Sequence, residues 1–136
     1  LQNVPAGDHT LLVLMAENDH TELGGRDYSR FSLPADRPDM LITSPPNGET
    51  VGANFTVTTT VENFTLDEAG VGGANVEGTG HWHVSVDDAY NTLSTAATAN
   101  VTGISPGTHT IRAELMNNDH SELEERVFSE VVITVE

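Results

Sequence analysis

The stretch GISPGTHTIRAELMNNDHSEL, residues 103–123, decides how the chain is read, because it occurs twice. Its sister copy is NVPAGDHTLLVLMAENDHTEL, residues 3–23. Gly7/Gly107, His9/His109, Thr10/Thr110, Asn18/Asn118, Asp19/Asp119, His20/His120, Glu22/Glu122, Leu23/Leu123, Arg26/Arg126 and Ser29/Ser129 all stand 100 positions apart, with no gap. An offset held over so many positions argues for duplication. Residues 37–136 then make one whole unit and residues 1–36 the C-terminal third of another. The chain is expected to begin inside a repeat, processed or excerpted.

The two copies differ where the difference is informative. HTIRAELM alternates, with Ile111, Ala113 and Leu115 on one face and Arg112 and Glu114 on the other, as a half-buried strand should. HTLLVLMA is apolar on both faces, which suits a strand covered on both sides. The outer face of the first copy, with Leu12 and Leu14 in place of Arg112 and Glu114, is therefore expected to be covered. Two isolated strands with two apolar faces are not stable in water. Leu11, Leu12, Val13, Leu14 and Met15 are the candidate assembly residues. The expected partners are copies of the same protein, as tandem repeats or as a head-to-tail homopolymer joined by strand addition at an open sheet edge.

The rest of the chain reads as short strands between turn signals. A looser strand spans 23–33, followed by a Pro-flanked linker at 34–38. Further strands are expected at 40–43, 54–66, 81–86, 109–116 and 127–135, with a Gly-rich loop at 67–80. Residues 87–99 are polar and small, with Tyr90 and Leu93 as anchors. No segment has helical periodicity with caps. The fold class is all-β: an immunoglobulin-like or cupredoxin-like antiparallel β-sandwich, preceded by the two-strand partial repeat. Trp82 is assigned a buried structural role on a middle strand. His109, and His9 with it, is assigned to the inner side beside Ile111 and Leu11, where a bond to a backbone carbonyl would lock the Pro-Gly turn.

Bulk composition narrows the function. Of 136 residues, 21 are acidic and five basic, all five Arg, for a net charge of −16. Such a surface repels phosphate backbones and anionic membranes, so no nucleic-acid partner is expected. No apolar run reaches membrane-spanning length, so no membrane insertion is expected. The chain has no cysteine, which excludes disulfides and thiolate metal sites. Asn54, Asn63 and Asn100 head N-x-Thr sequons. With the Thr/Asn/Gly richness they point to an extracellular or cell-surface glycoprotein.

At Ser44-Pro45 with Gly48, Gly80-His81-Trp82-His83, Pro106-Gly107-Thr108-His109-Thr110 and Asn118-Asp119-His120, the chain resembles a family of small secreted prokaryotic immunoglobulin-like domains of unknown function. The resemblance covers nearly all of residues 40–136. It implies an extracytoplasmic β-sandwich and no particular activity. The preceding partial copy departs from that pattern and implies tandem or assembled units.

Three histidines carry the candidate chemistry. His81 and His83 lie two apart on a strand, so both project from one face. In a sandwich the loop before the middle strand and the loop after the penultimate strand lie at one end, and His120 is in the second loop. Three imidazoles can converge there and hold a metal, with Asp119 or water completing the shell. The alternative is a hydrogen-bonded histidine cluster that pins the loop. Copper is the first guess from its preference for imidazole, and zinc the second. Calcium ranks behind both: Asp67/Glu68, Asp87/Asp88 and Glu122/Glu124/Glu125 match no dedicated calcium loop and read as a solvated acidic surface. His20 repeats His120 but has no His-x-His strand of its own copy beside it. No nucleophile elbow or phosphate loop is present, so no enzyme activity is expected.

Overall fold

The computed structural model describes Val4 and residues 7–136. All regular structure in it is strand. The chain divides into two compact units, Leu1–Arg37 and Pro38–Glu136, one residue later than the repeat arithmetic places the boundary.

The first unit is a two-stranded sheet. β1 (Gly7–Ala16) runs antiparallel to β2 (Glu22–Leu33), from Gly7↔Leu33 to Leu14↔Arg26. A register shift follows, and the ladder ends with Met15↔Leu23 and Ala16↔Glu22. Leu11, Leu12, Val13, Leu14 and Met15 are all exposed within this unit. Phe31 and Leu33 are only partly buried, and His9 stacks on Phe31 at 5.5 Å between ring centroids. The unit thus has no core of its own among the described residues.

The second unit is a β-sandwich. One sheet holds β3 (Asp39–Ser44), β5 (Phe55–Glu62) and β9 (Thr98–Val101), in the order β3-β5-β9. The other has the order β4-β11-β10-β7-β6, with β8 also on β7. Its members are β4 (Thr50–Val51), β6 (Thr65–Leu66), β7 (Thr79–Val86), β8 (Ala89–Ser94), β10 (Gly107–Asn117) and β11 (Phe128–Val135). The main ladders are antiparallel, but the two-residue ladders β4–β11 and β6–β7 are parallel. The fold is the β-sandwich expected from the sequence, antiparallel in its main ladders.

Period-two alternation places the core. Met40, Ile42, Val57, Ala99 and Val101 from the small sheet meet Trp82, Val84, Ile111, Ala113, Leu115 and Ile133 from the large one. Burying each large apolar side chain contributes about 1.5–3 kcal/mol. Trp82 is fully buried, and its indole N–H donates to the Ala96 carbonyl at 2.8 Å, so its polar edge carries no penalty.

One expectation about strands needs correction. The run 54–66 is not one strand. Asn63 adopts φ 53, a left-handed conformation that Asn tolerates, and the chain leaves β5 in one sheet for β6 in the other. Residues 87–99, read from the sequence only as polar and small with no strand placed there, carry β8 and the start of β9. Asp87 and Asp88 both have positive φ, 49 and 64, the geometry of a two-residue hairpin turn, and β8 and β9 follow. Leu93 is half-buried, but Tyr90 is exposed and anchors nothing in the core.

Candidate metal centre

β7 and the loop after β10 build the site. Along β7, Trp82, Val84 and Val86 face the core, and His81 and His83 share the opposite face. Gly80 explains the glycine before them. A Cβ there would collide with the Met116 carbonyl oxygen and press on the Phe64 ring, so only glycine lets β7 lie this close to β10. The register puts His81 opposite Met116 and His83 opposite Glu114.

His120 is delivered by a tight turn. The Asn117 N–H donates to the Ser121 carbonyl at 2.9 Å, and the His120 N–H to the Asn117 carbonyl at 3.0 Å. Asp119 Oδ1 accepts from the Ser121 N–H at 2.9 Å and from its hydroxyl at 2.5 Å. His120 itself has φ 67. The Gly-rich loop clasps this turn: the Gly72 N–H donates to the Asn118 carbonyl at 2.7 Å, and the Asp119 N–H to Asn75 Oδ1 at 3.0 Å.

The three imidazoles converge. His81 Nε2 lies 3.0 Å from His83 Nε2 and 2.9 Å from His120 Nδ1, and the latter two are 3.2 Å apart. Among the described residues no other three His, Cys, Asp or Glu side chains gather in this way. Hydrogen bonds alone cannot satisfy the triangle. Each imidazole nitrogen is either an N–H or a lone pair, and a bond needs one of each. In a triangle at least one pair is therefore like facing like, whatever the tautomers. A cation removes the conflict, because all three nitrogens can turn lone pairs inward. The spacing also fits: with imidazole–zinc bonds of about 2.0–2.1 Å, ligands at roughly 90–110° sit about 2.9–3.4 Å apart.

The electrostatics favour the neutral forms of His81 and His83. Burial, then the neighbouring His83 and His120, lower the pKa of His81 to about 4. His83 is also lowered, by burial and then His120, against an opposing pull from Glu114. Neutral imidazole is the form that ligates. His81 is sealed, His83 half-buried and His120 exposed, so the cluster is open on one side. Tyr90 packs edge-on against His83 at 5.0 Å between centroids. His81 Nδ1 and Asn118 Oδ1 are buried side-chain atoms without a hydrogen-bond partner among the described residues.

The remaining candidates fall elsewhere. Asp119 is not in the cluster, which corrects its assignment as a possible fourth ligand: its carboxylate is held by Ser121. His109 is at the strand end, its Nδ1 2.7 Å from Asp87 Oδ2 and its Nε2 2.9 Å from the Ser105 carbonyl. The Asp87 partner was not legible because the Asp-Asp turn was not. Asp88 pairs with Arg112 at 3.0 Å and Glu122 lies 3.5 Å from Arg126. Asn54, Asn63 and Asn100 are exposed. Asn54 Oδ1 accepts the Gly103 N–H at 3.0 Å, and Asn100 Oδ1 accepts the Thr56 hydroxyl at 2.9 Å. Sequence reasoning missed Tyr90 beside His83 and the buried Asn118. The adjacency of Asn118 to the His120 turn was the available signal.

No protein-family model matches the chain, and no curated protein does. Some solved structures are similar to it in part. One belongs to the fibronectin(III)-like modules of Clostridium thermocellum CbhA, 22% identical over 71% of this chain and 93% of that one, with a TM-score of 0.48. Another is the endo-β-1,4-mannanase of Thermotoga petrophila, 15% identical, with a TM-score of 0.47, over 74% of this chain and 20% of that one. A third is a Jonesia denitrificans lytic polysaccharide monooxygenase, 18% identical, with a TM-score of 0.44, over 68% and 60%. All three are partial likenesses of chain trace.

Proposed function

We propose that the second unit is a non-enzymatic, extracellular or cell-surface β-sandwich module that holds one transition-metal ion on His81 Nε2, His83 Nε2 and His120 Nδ1. The observation that supports it is the triangle of nitrogens 2.9–3.2 Å apart, frustrated without a cation and matched to one in spacing. An all-imidazole donor set suits copper first and zinc second. The ion would tie the loop after β10 to β7 and so brace one end of the sandwich. The resemblance motifs have local tasks here: Gly80 admits the close strand, and Asn118-Asp119-His120 makes the ligand-bearing turn. Elemental analysis after exposure to copper and zinc, followed by dialysis, tests the reading. One ion per chain is expected, and none in His83→Ala. A wild-type chain without stoichiometric metal would refute it.

A second, compatible reading is a structural unit of a repetitive or self-assembling surface protein, joined by strand complementation through residues 1–36. The exposed apolar run Leu11, Leu12, Val13, Leu14 and Met15 favours it. Removing residues 1–36 should leave a soluble monomer of the second unit. Assemblies that persist after the removal would rule strand donation out. Among the described residues no helix is long and apolar enough to cross a membrane. The net charge of −16 fits a well-solvated surface.

A further inference from the structure

The turn that delivers His120 is built a second time. In the first unit the Glu17 N–H donates to the Thr21 carbonyl at 2.9 Å, and the His20 N–H to the Glu17 carbonyl at 2.9 Å. The Thr21 N–H donates to Asp19 Oδ1 at 2.9 Å. His20 has φ 68, against 67 for His120. Ala16↔Glu22 closes the turn as Met116↔Glu122 does. Farther along, β2 is two residues out of step with β11: Leu14 faces Arg26, whereas Glu114 faces Phe128. An even shift keeps every side chain on its face.

The faces and edges match as well. Ile111, Ala113 and Leu115 are 0% exposed under the sandwich, while Leu11, Val13 and Met15, in the same places, are 36%, 55% and 62% exposed. β10 has two neighbours, β11 and β7. β1 has β2 alone among the described residues. Its other edge is the one that in the second unit receives the His-x-His strand, with Leu115 opposite Trp82 and Met116 opposite His81.

We infer that the β1–β2 hairpin closes a second sandwich of the same kind, and that His20 is the third ligand of a second metal centre. The occupant of the open β1 edge is the β3–β9 portion of another copy of the repeat, equivalent to residues 38–106, whose Gly-His-x-His strand supplies the other two ligands. The second unit as it stands cannot serve, because its β7 already lies between β10 and the strands β6 and β8. The ligand set rests on the three-histidine reading above. The docking of the hairpin rests only on the repeat and its uncovered face.

The test lengthens the chain by placing residues 38–100 directly ahead of Leu1, which continues the 100-residue period. Amide exchange at residues 11–15 reads the docking, and copper titration with elemental analysis reads the ligands. Docking should slow those amides by about a hundredfold or more relative to the 136-residue chain. The ion count should rise from one to two per chain, and His20→Asn in the lengthened chain should return it to one while the amides stay slow. Fast amides would overturn the closing role of the hairpin. Slow amides with a single ion would overturn His20 as a ligand. No ion at either centre would overturn both metal readings together, leaving the docking to be decided by exchange alone. A dimer of the 136-residue chain with slow amides at residues 11–15 and one ion per protomer would overturn tandem docking in favour of exchange between copies.

Discussion

Substituting His120→Asn separates a metal centre from a hydrogen-bonded cluster. His120 is exposed and sits at φ 67, a conformation Asn accepts with little strain, so the substitution leaves no cavity and little backbone cost. It removes one corner of the nitrogen triangle, and the remaining pair, His81 and His83 at 3.0 Å, can then share a proton as donor and acceptor. The metal-free variant should therefore lie within about 1 kcal/mol of wild type, or slightly above it. Metal separates the two proteins. At free metal a thousand times Kd, binding stabilises the native state by about 4 kcal/mol. For a unit of about 100 residues, Pro38–Glu136, that raises Tm by roughly 15–30 °C. A thousandfold weaker site would contribute only about 0.4 kcal/mol at the same metal level. Calorimetric melts of both proteins, in chelator and in copper or zinc, measure all four states. Two results would refute the reasoning: a metal-free variant that melts far below wild type, or an equal metal-dependent rise in both proteins. The first would mean that the histidine bonds hold the loop by themselves.

Further predictions concern protons and packing. His81, with its folded pKa lowered from 6.5 to about 4 by burial and its two neighbours, should titrate by NMR near pH 4 in metal-free protein. The unfolded chain binds that proton first, so stability is full above about 6.5 and falls as pH drops toward 4, by about 3 kcal/mol at most. A His81 resonance that titrates near 6.5 would contradict this. His109 shifts the other way: hydrogen bonds to Asp87 and to the Ser105 carbonyl raise its pKa. Its contribution is full below the unfolded value and is lost as pH rises through the folded one. Asp87→Asn should bring its titration down, and an unchanged midpoint would dismiss the Asp87 bond. Gly80→Ala should cost about 1–3 kcal/mol through overpacking against Met116, read as a lower denaturant midpoint. A neutral result would show that β7 and β10 can part without loss.

What the sequence disclosed follows from how strongly each residue is constrained. HWHVSV alternates cleanly because one face of β7 is core and the other is not, so strand, Trp82 and His pair were all readable. The convergence of His120 followed from sandwich topology. The break at Asn63 left a trace that was overlooked: the apolar positions move from odd (Phe55, Val57, Val61) to even (Phe64, Leu66) across it, a change of phase hidden within one long run of strand-forming residues. β8 was hidden because Asp87-Asp88 performs a glycine's task at a hairpin. Asp119 was misread because a carboxylate beside a histidine looks like a ligand, whereas here it shapes the turn. The pairing of His109 with Asp87 depended on that same unread hairpin.

The turn at residues 17–21 keeps its shape in a unit that has no sandwich around it. Its hydrogen bonds all fall within five residues, so its form is a local property of the Asn-Asp-His sequence. The equivalent turn at 117–121 can then be made before the sheets meet, on the microsecond scale of hairpin formation. It would serve as a folding nucleus that brings β10 and β11 together early, leaving β7 to arrive last against a histidine already in position.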